Sequence, residues 1–169
     1  MDNLIDSGYF WGKLKRSYLN ISPYNNTPSA KIAASEQDEL TKYISIYQKE
    51  YLTQLFGSNV VPDDEEIKAL LFDSTLQISP IANYVFCKLL LSSQSKSTAS
   101  GVTVKATENS TLVSYQDLYS QAWNEMVKFN ITIRSKIDEL GLTDTYPVDI
   151  YIENTEFIKD FFKAQYFIC

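Results

Sequence analysis

Apolar residues recur at steps of three and four along several stretches of this chain, and that spacing predicts amphipathic helices. Leu40, Tyr43, Ile44, Tyr47, Tyr51 and Leu55 form one such face, so a helix is expected over about Glu36–Phe56. Ser35 followed by Asp38 offers a capping-box-like start, and Gly57 a left-handed stop. Three tyrosines on one face suit a half-wet interface better than a dry core, because each phenol keeps a polar tip. A second pattern begins at Ser79-Pro80, a hydroxyl N-cap followed by proline at the first helical position, and runs to about Ser92. Ile81, Tyr84, Val85, Phe86, Cys87, Leu89, Leu90 and Leu91 make it apolar nearly all round, as expected of a central helix. The longest pattern spans Ser114–Leu140. Ser114 and Asp117 cap it, Leu118, Ala122, Met126, Ile133, Ile137 and Leu140 form its stripe, and Gly141 ends it. Trp123 and Val127 widen that stripe, while Asn124 and Glu125 fall on the outer side.

Between these helices the pattern changes. The acidic run Asp63–Glu66 leads into Ile67–Phe72 and reads as the first turn of a short helix, its acids facing the positive end of the dipole. It lacks the glycine and spacing of a calcium loop. Ser92–Gly101 has no aromatic and no large apolar residue, and a single charge, Lys96. Such a segment buries too little surface to offset its ordering entropy, so Ser93, Ser95, Lys96, Ser97, Ser100 and Gly101 are expected to form a mobile loop. Val102, Val104 and Ala106 then alternate with polar residues, and Leu112-Val113 offers a return strand, which admits a short β-hairpin.

At the N-terminal side, Gly8, Gly12, Pro23 and Pro28 interrupt any long helix, so residues 1–34 read as an extended arm or short strand with a polar turn at Ser22–Ser29. Its aromatics, Tyr9, Phe10 and Trp11 among them, must pack on the core or on a neighbouring subunit. At the other side, Val148–Ile152 alternates like a strand, and Phe157, Ile158, Phe161, Phe162 and Tyr166 have helical spacing, so this segment is expected to dock. The fold class expected is mainly α. It is a small bundle of four to five helices with a long polar loop, a short β-hairpin and terminal arms. Its parts are an arm over 1–34, a helical core over 35–141 that includes the loop 92–113, and a C-terminal segment over 142–169.

Composition narrows the function classes. With 44% hydrophobic and 14% aromatic residues, the 169-residue chain can build a real core. Its longest apolar runs are far shorter than the roughly 20 residues that cross a bilayer. The start, MDNLIDSGYF, lacks the basic and apolar blocks of a secretory signal, so use in the cytosol or in an assembly built there is expected. A net charge of −6 argues against a nucleic-acid-gripping surface, although a wall that DNA slides past should not grip it. Histidine is absent, which removes the commonest general base and zinc ligand. Cys87 reads as a core residue, and two cysteines make no disulfide framework.

The tempting motifs have ordinary readings. Four Asn-x-Ser/Thr matches, at Asn20, Asn25, Asn109 and Asn130, follow from an Asn/Ser/Thr-rich composition. Lys13, Lys15 and Arg16 beside Trp11 and Tyr18 resemble a nucleic-acid patch, but in an acidic chain they read as a solvated face or a contact with an acidic neighbour. Asp117, Glu125 and Glu139 are the acids on which an alternative carboxylate/Tyr enzyme would rest. A further alternative is an accessory surface-binding protein using exposed tyrosines. No catalytic residue, metal or cofactor is assigned.

Five blocks in order carry a resemblance: LIDSGYFWGKL at 4–14, YLTQLFG at 51–57, SPIANYVF at 79–86, GVTVKATENS at 101–110 and AWNEMVKFN at 122–130. Together they resemble connector-like proteins encoded in the structural-gene blocks of tailed phages and prophages, similar to the helical head–tail connector (head-completion adaptor) family. The resemblance covers roughly residues 4–135. It implies a ring docked beneath the portal protein, contacts with tail-completion proteins, and passage of double-stranded DNA without sequence-specific binding. It also implies a place in the virion neck, with the host cytoplasm as the site of assembly. Ser92–Thr107 would correspond to the family's mobile loop, and Tyr84, Trp123 and Met126 to its helical core. The chain departs from that pattern in its short 57–79 connection and in its Val148–Cys169 tail. A ring needs two different patches per subunit, and the candidates are Tyr9, Phe10 and Trp11 on the arm and Tyr43, Tyr47 and Tyr51 on the first long helix.

Overall fold

The computed structural model describes residues 2–14, 29–58, 60–95 and 115–146. Among them the chain is mainly α, with four helices: α1 Ser29–Phe56, α2 Glu65–Leu71, α3 Pro80–Ser95 and α4 Tyr115–Glu139. Two 3-10 turns, Ser7–Tyr9 and Gly12–Leu14, precede them. The proposed hairpin over 102–113 and the strand and aromatic helix after 147 lie outside the described residues.

The central helix is α3, as its all-round apolar character predicts. Ile81, Ala82, Tyr84, Val85, Phe86, Cys87, Leu89 and Leu90 are all buried. It packs on α1 on one side and on α4 on the other, while α2 closes against α4 and α3. The expected stripes fill the space between: Leu40, Ile44, Tyr51 and Leu55 from α1, and Leu118, Ala122, Met126, Ile133 and Ile137 from α4. Burial of a large apolar side chain contributes roughly 1.5–3 kcal/mol, so these stripes are what hold the bundle together.

The caps are local and specific. Asp64 accepts from the backbone N–H groups of Glu66 and Ile67, both at 3.0 Å, and starts α2. Ser79 Oγ accepts from Ile81 N at 3.1 Å and donates to Leu71 O at 2.6 Å, so one hydroxyl starts α3 and ties it to the end of α2. Gly57 and Gly141 have φ of +69° and +66°, the left-handed stops expected of them. At the end of α4, Leu142 N donates to Ile137 O at 3.0 Å and Gly141 N to Asp138 O at 3.1 Å, a Schellman pair. That turn corrects one expectation. Leu140 falls past the helix end and is 40% exposed, and Leu142 packs on the core in its place.

Three further differences have physical causes. The first is that α1 begins at Ser29, seven residues before Glu36, so Ser35 lies inside the helix and does not cap it. Ala30, Ala33 and Ala34 are strong helix formers that carry the helix back toward Pro28. Second, α3 continues through Ser95, so Ser93 and Ser95 are helical and not part of a loop, while Lys96, Ser97, Ser100 and Gly101 lie outside the described residues. Finally, residues 2–14 are neither an extended arm nor a strand. Asp6 Oδ1 accepts from Gly8 N at 2.7 Å and closes the first 3-10 turn, Gly12 takes φ +57°, and Ile5, Tyr9 and Phe10 are buried in the core. Gln48 of α1 holds the segment down by accepting from Leu4 N at 2.7 Å.

Candidate interaction surface

The second 3-10 turn brings the arm against a feature that the sequence pattern did not predict. Asp73 and Ile78 pair as an antiparallel bridge, with Asp73 N donating to Ile78 O at 3.0 Å and Ile78 N to Asp73 O at 3.3 Å. The Asp73 carboxylate shapes the turn between them by accepting from the backbone N–H of Thr75 at 2.8 Å and of Leu76 at 2.9 Å. Gln77 then takes φ +52°, a left-handed conformation unusual for a residue with a Cβ. Its carbonyl accepts from the indole Nε1–H of Trp11 at 2.9 Å. Gly8 sits beneath, where an added Cβ would come within 2.7 Å of Gln77 Nε2.

The indole is therefore oriented by a hydrogen bond yet remains 53% exposed. Leu76 at 59% and Ile78 at 36% extend the apolar surface beside it. Trp11 and Ile78 edge an open groove of about 390 Å³, whose walls include Tyr9, Leu14, Asn83, Glu125 and Phe129. Burial raises the Tyr9 hydroxyl's pKa, and the charges of Asp6 and Asp73 push it further up. Lys13 also lines the groove.

The six aromatic candidates are thus separated into different roles. Trp11 is exposed, Tyr9 contributes to the groove wall while mostly buried, and Phe10 is in the core. Tyr51 is fully buried, packed at 5.6 Å against the Tyr84 ring, with its hydroxyl donating to Asn130 Oδ1 at 2.5 Å. Tyr43 and Tyr47 remain half-buried and stack at 6.0 Å, nearly parallel. Lys88 of α3 crosses to this face, with Nζ 2.7 Å from Glu50 Oε1 and 5.1 Å from the Tyr84 ring centroid. Burial alone would raise the pKa of Glu50, but hydrogen bonds from Lys88 and Tyr84, with the Lys88 charge, outweigh it and hold the carboxyl below its ordinary value. Burial raises the Tyr47 hydroxyl, helped by Tyr43 and Glu50.

Several of the other candidate acids are engaged by lysines. Lys68 binds Asp63 at 2.6 Å and Glu65 at 3.0 Å, and Lys136 binds Glu66 at 2.6 Å and Glu139 at 3.2 Å. Glu125 pairs with Lys128 at 2.9 Å. Asp117 and Glu125 lie on one helix about 12 Å apart along its axis, at 1.5 Å per residue. Burial pushes the Cys87 thiol far up, which leaves it protonated and inert. Among the described residues no cluster of His, Cys, Asp or Glu is arranged to hold a metal ion, and no helix is long and apolar enough to cross a membrane.

Leu76, Gln77, Ile78 and Phe129 were not singled out by the sequence reading. The signal for them was weak but present: Asp73-Ser74-Thr75 is a turn opener, and Leu76 and Ile78 alternate with polar neighbours. No protein-family model, no curated protein and no solved structure matches the chain.

Proposed function

We propose that this chain is a structural adaptor of a tailed phage or prophage, acting by docking on other proteins. In this reading it sits beneath the portal protein as a ring that joins head to tail and extends the DNA channel. One observation carries the docking part: an indole held in place by Gln77 is left exposed at an open groove that Ile78 also lines, with the exposed Leu76 next to Gln77 in the chain. Oriented aromatics in a small apolar patch are the residues that dominate protein–protein contacts, because ordering them on binding loses little further entropy. The Tyr43–Tyr47 stack on α1 supplies a second, different half-buried patch, as a head-to-tail ring requires. The phage assignment rests on the ordered sequence blocks that resemble the connector family. An acidic chain with a net charge of −6 suits a channel wall that DNA passes without being held.

The test is genetic and visual. Removing the gene from the phage or prophage that carries it should yield filled heads and free tails that fail to join, seen by electron microscopy. Normal, infectious tailed particles would rule the adaptor reading out.

A further inference from the structure

Residues 2–14 meet the bundle differently from the way its helices meet one another. Among the described residues, their backbone-to-backbone hydrogen bonds all close within the segment. Tyr9 N donates to Asp6 O at 3.4 Å, Phe10 N to Ser7 O at 3.3 Å and Leu14 N to Trp11 O at 2.9 Å. Gly8 N is likewise taken by the Asp6 carboxylate. The hydrogen bonds that tie the segment to the bundle each use a side chain. At one end Gln48 accepts from Leu4 N at 2.7 Å and donates through Nε2 to Asp2 O at 3.3 Å, while Ser45 Oγ donates to Asn3 Oδ1 at 2.8 Å. At the other end the Trp11 indole donates to Gln77 O. Between the two ties, Ile5, Tyr9 and Phe10 supply the apolar hold.

We propose that residues 2–14 form a strap that opens and closes as one unit on an intact four-helix bundle. Lifting it breaks no helix ladder, and the polar groups it frees, the Gln48 amide among them, meet water. The segment regains its conformational entropy at the same time. Against that stand three buried side chains, whereas unfolding the bundle exposes the eight buried residues of α3 and the stripes packed on them. Opening of the strap therefore lies well below global unfolding in free energy, as cooperative sub-global openings do. The two ties make it a unit, because three-residue 3-10 turns do not persist once the packing around them is lost. Closed, the strap completes the groove: Tyr9, Trp11 and Leu14 come from it, and Ile78, Asn83 and Phe129 from the bundle. Open, it takes one wall away and releases the indole from Gln77. The groove and its oriented ring thus belong to the closed form alone. If this face is a docking surface, a partner binds the closed form only, and its apparent affinity scales with the closed fraction. The opening itself is a property of the isolated chain and stands or falls apart from the docking reading.

The test is native-state hydrogen exchange of the full chain across low urea concentrations. The amides of Leu4, Gly8, Phe10 and Leu14 should share one opening free energy, lower than that of Phe86 and Leu90 in α3 and with a shallower urea dependence. Gln48→Leu, which removes the tie at residues 2–4, and Trp11→Phe, which removes the tie at residue 11, should each speed exchange of all four amides by about fivefold or more. Exchange of Phe86 and Leu90 should stay unchanged in both, which also reports that the bundle is intact. Strap amides that join the α3 isotherm, that exchange independently of one another, or that respond only beside the substituted residue would overturn the proposal.

Discussion

Trp11 and Gln77, 66 residues apart, are joined by a hydrogen bond of 2.9 Å from the indole Nε1–H to a backbone carbonyl in a left-handed turn. The bond clips the N-terminal arm to the turn between α2 and α3, and it sets the direction of the exposed ring. Because the acceptor is main chain, a change of side chain at 77 reaches this bond through backbone preference, besides removing the amide that lies over Gly8. Gln77→Gly should shift stability by less than about 1 kcal/mol, since relief of the left-handed conformation offsets the entropy glycine gains when unfolded. Gln77→Val should destabilise more than Gln77→Gly, because a β-branched side chain is crowded at positive φ beyond what glutamine already bears. Urea midpoints of the two variants check this, and equal effects would contradict it.

Ser79 carries two hydrogen bonds from one buried hydroxyl, to Leu71 O and from Ile81 N. Ser79→Ala removes the α3 cap and leaves a carbonyl of α2 without its donor. A loss of about 1–2 kcal/mol is expected by chemical denaturation. Ser79→Asp should recover only part of this, because a carboxylate accepts from Ile81 but cannot donate to Leu71.

Tyr51 and Asn130 form a buried pair in which the Asn130 Nδ2 has no hydrogen-bond partner among the described residues. Tyr51→Phe should therefore destabilise by about 1–3 kcal/mol, since it also strands the amide oxygen. Adding Asn130→Leu should restore most of that loss, because both polar partners are then replaced by apolar groups. A double variant less stable than Tyr51→Phe alone would show that the amide serves another contact.

Glu50 links the two helices through Lys88 and Tyr84, and its pKa is lowered in the folded state. The stability that this shift contributes is present above the ordinary value of 4.5 and is lost as pH falls through the lower folded value. The wild type should thus be more stable than Glu50→Gln at neutral pH, and the gap should narrow below pH 4.5. Thermal melts of both proteins across that range give the answer, and a constant gap would contradict the shift.

The four helices were legible because each carries its own signal within a short window: the α1 and α4 stripes, the all-apolar α3, the acidic run before α2, and the Ser79, Gly57 and Gly141 boundaries; the cap of α2 itself, Asp64, was read as part of its first turn. What was not legible depends on distant partners. Residues 2–14 form 3-10 turns because Gln48 holds Leu4 and Gln77 holds Trp11, contacts across 44 and 66 residues that no local periodicity records. The same holds for the site. Trp11 stood out as an aromatic near glycines, but Gln77, Ile78 and Phe129 join it only through tertiary packing. Leu140 failed for a local reason of a different kind, since a stripe says nothing about where the Schellman turn will end it.

The proposed docking face is the centre of this account, and light scattering tests it most directly. The portal ring, mixed with the wild-type chain, should gain mass in multiples of the 19.3 kDa subunit, while Leu76→Asp, altered only at a residue 59% exposed, should add none. A portal mass unchanged by the wild-type chain, or raised equally by both proteins, would contradict it.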